Sequence, residues 1–299
     1  MSIDASQIIF GGASLSSVGG GYGMGEIDNP RVLIEAALDQ GIKLFDTAPI
    51  YGFNQSEQTL GQNLSSDIRE SVKIISKAGV SWHDNKRVNL SNDPKVIQSM
   101  LEESLNNLDT DYIDIYMTHW PDSKVDIRRP LEVLKKAQDQ GKIMSIGMCN
   151  TNSEDLLKAK EVCDIEYIQS ECNLFQNKFE SLAKDLKSSN IKTMGWGTFD
   201  KGILAGTVKT DRKFDKYDCR SWAPWWKKSN WKEKVKLADK INRETNGELF
   251  NCALQYSLSH SHYSICGFKS VEQLMQTVEC AKDEIDYSLI EKALHFARA

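Results

Sequence analysis

The chain of 299 residues is defined first by what it lacks. It has no C-x-x-C pair, no G-x-G-x-x-G run, no block of basic residues, no low-complexity tract and only six prolines. Seven cysteines, an odd number, include Cys149, Cys172 and Cys266 in or beside apolar runs; they are read as reduced core residues, which excludes a disulfide frame and a zinc site. Net charge is −5, from 37 basic and 42 acidic residues, and without a basic cluster neither nucleic acid nor an anionic membrane is an expected partner. No apolar run approaches the length of a membrane span. The opening M-S-I-D-A-S-Q-I-I-F has no charged segment followed by an apolar one, so a cytoplasmic location is expected.

What remains is a globular composition, 40% hydrophobic and 26% charged, arranged as a steady alternation. Short apolar runs predict strands at Gln7–Phe10, Ile42–Phe45, Val72–Ser76, Ile113–Thr118, Ile143–Met148, Ile165–Ile168, Ile191–Met194 and Tyr263–Cys266. Between them, helical spacing or capping residues predict helices at Arg31–Asp39, Glu57–Leu64, Pro94–Leu108, Arg129–Gln140, Ser153–Val162 with Ser153 as its cap, Lys178–Ser188, Trp231–Arg243, Leu249–Leu258 and Ser270–Cys280 with Ser270 as its cap. A Gly-rich loop runs from Gly11 to Gly25, Gly197–Ser229 reads as a long irregular segment, and a tail helix spans Tyr287–Arg298. Right-handed crossovers that cover every strand with a helix point to one parallel sheet closed on itself, a (β/α)8 TIM barrel in a single domain over residues 1–299, with a long loop after strand seven and a C-terminal tail helix. The competing fold is an open doubly wound sheet with its ligand at one switch point. The barrel is preferred because polar residues follow strand after strand: Asp46, Lys77, His119, Asn150 and Gln169.

The stretch K-L-F-D-T-A-P-I-Y-G-F-N-Q-S-E-Q-T-L-G, Lys43 to Gly61, carries the chemistry. Asp46 closes a strand, Tyr51 lies in the following loop, and Ser56 is expected to cap the next helix. Side chains two apart share a strand face, so Asp46 is expected above Leu44 and Ile42, and His119 above Met117, Ile115 and Ile113, as in a barrel interior. Each polar residue alone reads as an ordinary strand end; converging on one mouth, they form a reaction centre. A tyrosine ordinarily titrates near pH ~10, and a buried Lys77 ammonium beside it is expected to lower that value. Asp46 supplies the anion that a buried lysine needs. Tyr51 then protonates a carbonyl oxygen as charge develops on it, while His119 hydrogen-bonds the same oxygen. None of these groups delivers a hydride, so a cofactor is required.

The segments D-T-A-P-x-Y-G-x-x-x-S-E-x-x-L-G, S-K, D-Y-I-D-I-Y-M-T-H-W and I-Q-S-E-C-N resemble, in order and spacing, those of the aldo-keto reductase superfamily, over nearly the whole chain. D-Y-I-D-I-Y-M-T-H-W looks most like the bacterial branch typified by the inositol-operon protein IolS. The resemblance implies a catalytic tetrad of Asp46, Tyr51, Lys77 and His119, and NADP(H), less often NAD(H), bound in an extended form. It further implies that Asn150 and Gln169 meet the nicotinamide carboxamide, with Trp196 stacking on the ring. Gly197, Thr198 and Phe199 would cross the pyrophosphate; Gly12 and Ala13 would sit near the cofactor; and Gly267, Lys269, Ser270 and Gln273 would form the phosphate segment. Departures are Thr277 in place of an asparagine, Gln273 in place of an arginine common in relatives, and Gly197 without a hydroxyl. Ala13 replaces an aromatic, opening the substrate mouth, and without the N-terminal hairpin Met1–Ser6 is left to cover the barrel bottom.

Trp120 and Trp222 are substrate-contact candidates. The cluster Trp222, Trp225 and Trp226 reads equally as a hydrophobic plug or as a substrate wall. The expected activity is reduction of an aldehyde or ketone, sugar-derived ones included, by a monomer or weak homo-oligomer. Alternatives are a cofactor-binding regulatory subunit on the same fold and a hydrolase using Asp46 and Glu57 as paired carboxylates.

Overall fold

The computed structural model describes residues 5–16, 22, 29–64, 66–85, 87–187 and 189–298. Eight parallel strands close into a barrel: β1 (Ile8–Gly11), β2 (Leu44–Asp46), β3 (Lys73–Ala78), β4 (Ile113–Thr118), β5 (Ile143–Cys149), β6 (Tyr167–Asn173), β7 (Lys192–Trp196) and β8 (Tyr263–Cys266). Neighbours pair in sequence order, and β8 returns to β1 through Ile8↔Ser264, Ile9↔Ile265 and Phe10↔Cys266. The helices that pack around it include α1 (Pro30–Asp39), α2 (Gln55–Asn63), α3 (Pro94–Asn107), α4 (Arg128–Asp139), α5 (Ser153–Ala159), α6 (Trp231–Glu244), α7 (Leu249–His260), α8 (Val271–Lys282) and α9 (Tyr287–Ala297). None of the described helices is long and apolar enough to cross a membrane.

Alternation along the strands divides the core in two. Ile9, Ile75, Ile115, Met117, Cys149, Tyr167 and Met194 fill the barrel, with Leu44 packed against them. Phe10, Phe45, Ile74, Tyr116, Ile146 and Ile168 point outward into the larger layer beneath the helices. Most strands are thus apolar on both faces, the condition that makes parallel strands read as continuous hydrophobic runs; β6, with buried Gln169, Ser170 and Asn173, is the clearest exception. Ile42 and Ile113, expected inside the barrel, belong to the outer layer. Ile42 precedes β2, where the chain still follows the turn after α1, and Ile113 is the first residue of β4.

Local chemistry explains most element boundaries. Pro30 and Pro94 open α1 and α3 behind side-chain caps from Asn29 and Asp93, and Ser270 caps α8 by accepting from the Gln273 amide at 3.2 Å. Two expected caps shift. Asn152, not Ser153, caps α5. Ser56 is the second residue of α2 and fully buried; Asn54, in the left-handed region at φ 77°, precedes the helix. The tight turn at Gly52 to Asn54 starts the helix two residues early, which turns the Ser56 hydroxyl inward to Thr47 Oγ1 and the Gly12 carbonyl, both at 2.8 Å. Lys178–Ser188, expected as one helix, is a 3-10 turn, Lys178–Leu182, followed by a short helix, Ala183–Lys187.

Two features have no counterpart in the sequence reading. A hairpin, Val80–Trp82 with Val88–Leu90, rises directly from the end of β3. The segment read as irregular after β7 contains short helices at Cys219–Trp222 and Pro224–Lys227. Most of the Gly-rich loop, and Met1–Asp4 of the expected barrel cover, lie outside the described residues; Ala5–Gln7 form a 3-10 turn.

Candidate active site

The C-terminal ends of the strands open into one continuous cleft of about 1200 Å³. Asp46 ends β2, and the chain then turns sharply through residues 47–54 before α2. Gly52 makes this turn possible: its φ is +67°, and a Cβ there would lie 2.3 Å from Ser16 Cβ. The turn is tied by Tyr51 N–H to the Ala48 carbonyl at 3.0 Å and by Ser56 N–H to the Tyr51 carbonyl at 3.1 Å, which fixes Tyr51 over the strand ends.

Lys77, on the neighbouring strand, is fully buried and donates to Asp46 Oδ2 at 2.7 Å and to the Thr47 carbonyl at 2.9 Å. Gln169 Nε2 donates to the same Asp46 oxygen at 2.8 Å. The ammonium lies 5.2 Å from the Tyr51 ring centroid. His119 follows β4 and meets Tyr51 edge-on, with ring centroids 5.9 Å apart at 89°. The structure therefore brings Asp46, Tyr51, Lys77 and His119 together at one mouth.

The electrostatics differ from expectation in one respect. The Tyr51 phenol is raised well above its ordinary value, first by burial and then by the Asp46 carboxylate and Cys149. The expected lowering by Lys77 is overturned because Asp46 compensates the ammonium at 2.7 Å while burial still penalises the phenolate. His119 is held well below its usual range, by burial first and by the Lys77 ammonium second. The imidazole is therefore neutral at ordinary pH, suited to hydrogen bonding rather than to acid catalysis. Glu57 does not line the cleft. It is buried behind β3, accepting from Ser76 Oγ at 2.6 Å and Asn107 Nδ2 at 3.1 Å, so it forms no carboxylate pair with Asp46 across a substrate.

The other expected residues are distributed as follows. Asn150, in the left-handed region at φ 57°, accepts from Trp196 Nε1 at 3.1 Å and donates to the His119 carbonyl at 3.0 Å. Ala13, Gln169, Trp196, Gly197, Phe199 and Gly267 line the cleft. Thr198 also lines it, but its hydroxyl turns inward to Ser264 Oγ at 2.7 Å. Gly12 does not: a Cβ there would lie 2.7 Å from the Asp46 carbonyl oxygen, so its role is close packing. At the far end, Lys269 Nζ donates to the Tyr22 carbonyl at 2.6 Å, and Gln273 Oε1 accepts from the Lys269 amide at 2.9 Å. The Ser270 hydroxyl is used as the helix cap. Trp120 and Trp222 line the mouth, as does Trp225. Trp226 also reaches the cleft but is buried, stacking on Trp231 at 5.4 Å, so the tryptophan cluster is part wall and part plug.

A group of ion pairs has almost no signature in the sequence. Lys201 Nζ lies 2.9 Å from Glu171 and 3.0 Å from Asp200, and Lys234 reaches the other Asp200 oxygen at 2.8 Å. The adjacent Asp200 and Lys201 were the only local signal; Glu171 and Lys234 come from distant elements. Nearby, Asp218 and Arg220 pair at 2.6 Å, and Arg220 donates to the Lys201 carbonyl at 2.7 Å, clasping the loop after β7.

Comparison with known proteins shows the family. Aldo-keto reductase YhdN of Bacillus subtilis (strain 168) is 34% identical over 244 residues, which cover 81% of this chain and 72% of that protein. The NADH-specific methylglyoxal reductase of Escherichia coli (strain K12) is 29% identical over 212 residues, 65% of each chain. The solved structure of the glycerol dehydrogenase AKR11B4 from Gluconobacter oxydans matches with a TM-score of 0.80 at 27% identity, covering 97% of this chain and 90% of that one. Residues 7–294 match the sequence model of the Aldo/keto reductase family, and the chain belongs to that family.

Proposed function

We propose that the chain is an NADP(H)-dependent oxidoreductase that reduces an aldehyde or ketone to an alcohol, with Tyr51 as the proton donor. The observation that carries this reading is the compensated Asp46–Lys77 pair beneath a buried phenol that faces His119. The turn after β2 holds Tyr51 over the pair, and the phenol remains protonated and available to a carbonyl oxygen. The neutral His119 imidazole is placed to hydrogen-bond that oxygen as charge develops.

The cleft fits a long dinucleotide. It runs without interruption from Tyr51 and His119 past Gly197 to Lys269 and Gln273 at the start of α8. Bound there, a reduced nicotinamide supplies the hydride. Asn150 and Gln169 are assigned to its carboxamide, with Trp196 at the ring. The backbone of Gly197, Thr198 and Phe199 is assigned to the pyrophosphate, with Ala13 and Gly267 close by. Lys269, with Ser270 and Gln273 in the first turn of α8, is assigned to a 2′-phosphate, since a helix N-terminus beside a lysine favours an anion. The run D-Y-I-D-I-Y-M-T-H-W supports placing the chain in the IolS-type branch. We further take the protein to act as one domain, in the cytoplasm, as a monomer or weak homo-oligomer.

The test is a panel of aldehydes and ketones followed by loss of reduced-cofactor absorbance, with NADPH and NADH compared. Turnover preferring NADPH is expected. Lys269→Ala is expected to lose about tenfold or more in NADPH affinity, the scale of one charge-assisted hydrogen bond, with little change for NADH. Equal affinities in the wild type would remove the 2′-phosphate assignment. Tight cofactor binding with no turnover of any carbonyl would favour a regulatory or assembly subunit.

A further inference from the structure

A second cavity, of about 720 Å³, lies where β7 and β8 begin, at Lys192, Thr193 and His262. The reaction cleft opens where the strands end, and no residue lines both. The volume falls within the roughly 300–1,000 Å³ of small-molecule sites. Its apolar lining is Phe179 and Ile191, both buried, together with Ala183 and Leu186 of the short helix Ala183–Lys187. Its charged lining is Glu180, Lys187 and Lys192. Glu180 is already compensated by Arg298 at 2.9 Å, whereas the Lys187 and Lys192 ammonium groups have no ion-pair partner among the described residues.

Two histidines complete the wall in fixed orientations. His262 Nδ1 accepts from the Thr193 amide at 3.1 Å, so the neutral ring carries its proton on Nε2 as a donor. Burial first, and the Lys192 ammonium second, hold this ring below its usual range, which puts lysine and imidazole side by side. His260 Nδ1 donates to the Tyr256 carbonyl at 2.9 Å, and its ring stacks on Tyr256 at 4.1 Å. The Tyr256 hydroxyl is held in turn by Asn177 at 3.1 Å and Arg298 at 2.8 Å. The polar side of the cavity is therefore set before anything binds, which lowers the cost of binding.

We propose that this cavity binds a small amphipathic anion, a carboxylate on an apolar chain, with the chain against Phe179, Leu186 and Ile191 and the carboxylate at Lys192 and His262. Charge selects the head group, since two lysines remain uncompensated once Glu180 is paired. The apolar lining selects the chain, because a bare inorganic anion would leave that surface in water. The site is remote from Tyr51 and stands apart from the reductase reading.

The experiment is calorimetry of decanoate, decylammonium and acetate on the full chain. Decanoate is expected to bind one per chain, about tenfold or more tighter than decylammonium, the scale of a charge-assisted hydrogen bond. It should exceed acetate by at least as much, through its buried methylenes. Lys192→Glu reverses the charge and Ala183→Trp fills the cavity, both at exposed positions. Each should lower decanoate affinity about tenfold or more with circular dichroism unchanged, while Trp120→Ala in the cleft should leave it unaltered. Absence of decanoate binding would overturn the proposal, as would decylammonium or acetate binding equally well. Binding lost in Trp120→Ala but kept in both cavity variants would put decanoate in the cleft and equally overturn it.

Discussion

Two ion-pair sites face the same cleft and are built on opposite principles. Asp46 and Lys77 are a single pair on adjacent barrel strands, with the lysine fully buried and Gln169 completing the carboxylate's bonds. Glu171, Lys201, Asp200 and Lys234 form a chain of pairs around the loop after β7, where Asp200 and Lys201 both adopt left-handed backbone. At Asp200 burial works against the carboxylate, yet Lys201 and Lys234 together hold it below its usual range. Burial likewise opposes the Lys201 charge, which Asp200 and Glu171 outweigh. The strand site has no spare charged partner, so loss of either residue leaves a buried charge alone. The loop site has redundant partners, so Asp200 keeps a cation if either lysine is lost.

The largest expected effect tests what the strand site supports. Tyr51→Phe should fold, bind cofactor as the wild type does, and lose about 10²- to 10⁴-fold in kcat, the usual contribution of a general acid. Circular dichroism and cofactor titration check the first two points. Wild-type turnover in this variant would mean that another group delivers the proton.

A paired comparison then separates the two sites by stability. Lys77→Met leaves Asp46 buried without its cation and should cost about 3–5 kcal/mol in denaturant unfolding, with a large kinetic loss. Lys201→Met leaves Asp200 with Lys234 and should cost less than half as much. Equal losses would show that the loop site is as rigidly coupled as the strand site.

The same contrast explains what was legible in the sequence. Most barrel strands were visible as apolar runs, because a parallel strand buried on both faces has little room for polar residues; β6 was visible only at its start, since the run Ile165–Ile168 gives way to the largely buried polar stretch Gln169–Asn173. Asp46, Lys77 and His119 were visible because they interrupt those runs at their ends. The Glu171–Lys201–Asp200–Lys234 chain was not, since Glu171 sits within a strand and Lys234 on a distant helix, and only tertiary folding joins them. The hairpin Val80–Leu90 escaped because it follows β3 with only Gly79 between, where the chain reverses at φ +101°. Ser56 reads as a cap because nothing in the local spacing shows that Asn54 takes the left-handed conformation. The direction of the Tyr51 shift also depended on quantities that no sequence displays: the depth of burial, and the 2.7 Å contact by which Asp46 compensates Lys77.

That shift gives the smallest but most discriminating prediction. In the cofactor-free protein the phenol is raised above its ordinary value by burial and by Asp46, so Tyr51 should remain protonated past pH ~10. The sign for stability follows: a phenol raised on folding contributes fully below its unfolded value and loses that contribution as pH rises through the folded value. An ultraviolet difference titration of wild type against Tyr51→Phe isolates this one group from the other tyrosines. No ionisation assignable to Tyr51 is expected below pH ~10. Asp46→Asn removes the second cause and leaves Lys77 uncompensated, so the midpoint in Asp46→Asn should fall relative to the wild type. A midpoint unmoved by Asp46→Asn would remove Asp46 as a cause and leave burial as the dominant one. A wild-type midpoint well below 10 would instead mean that the Lys77 ammonium acts on the phenol despite its partner, and that the strand site tunes the acid.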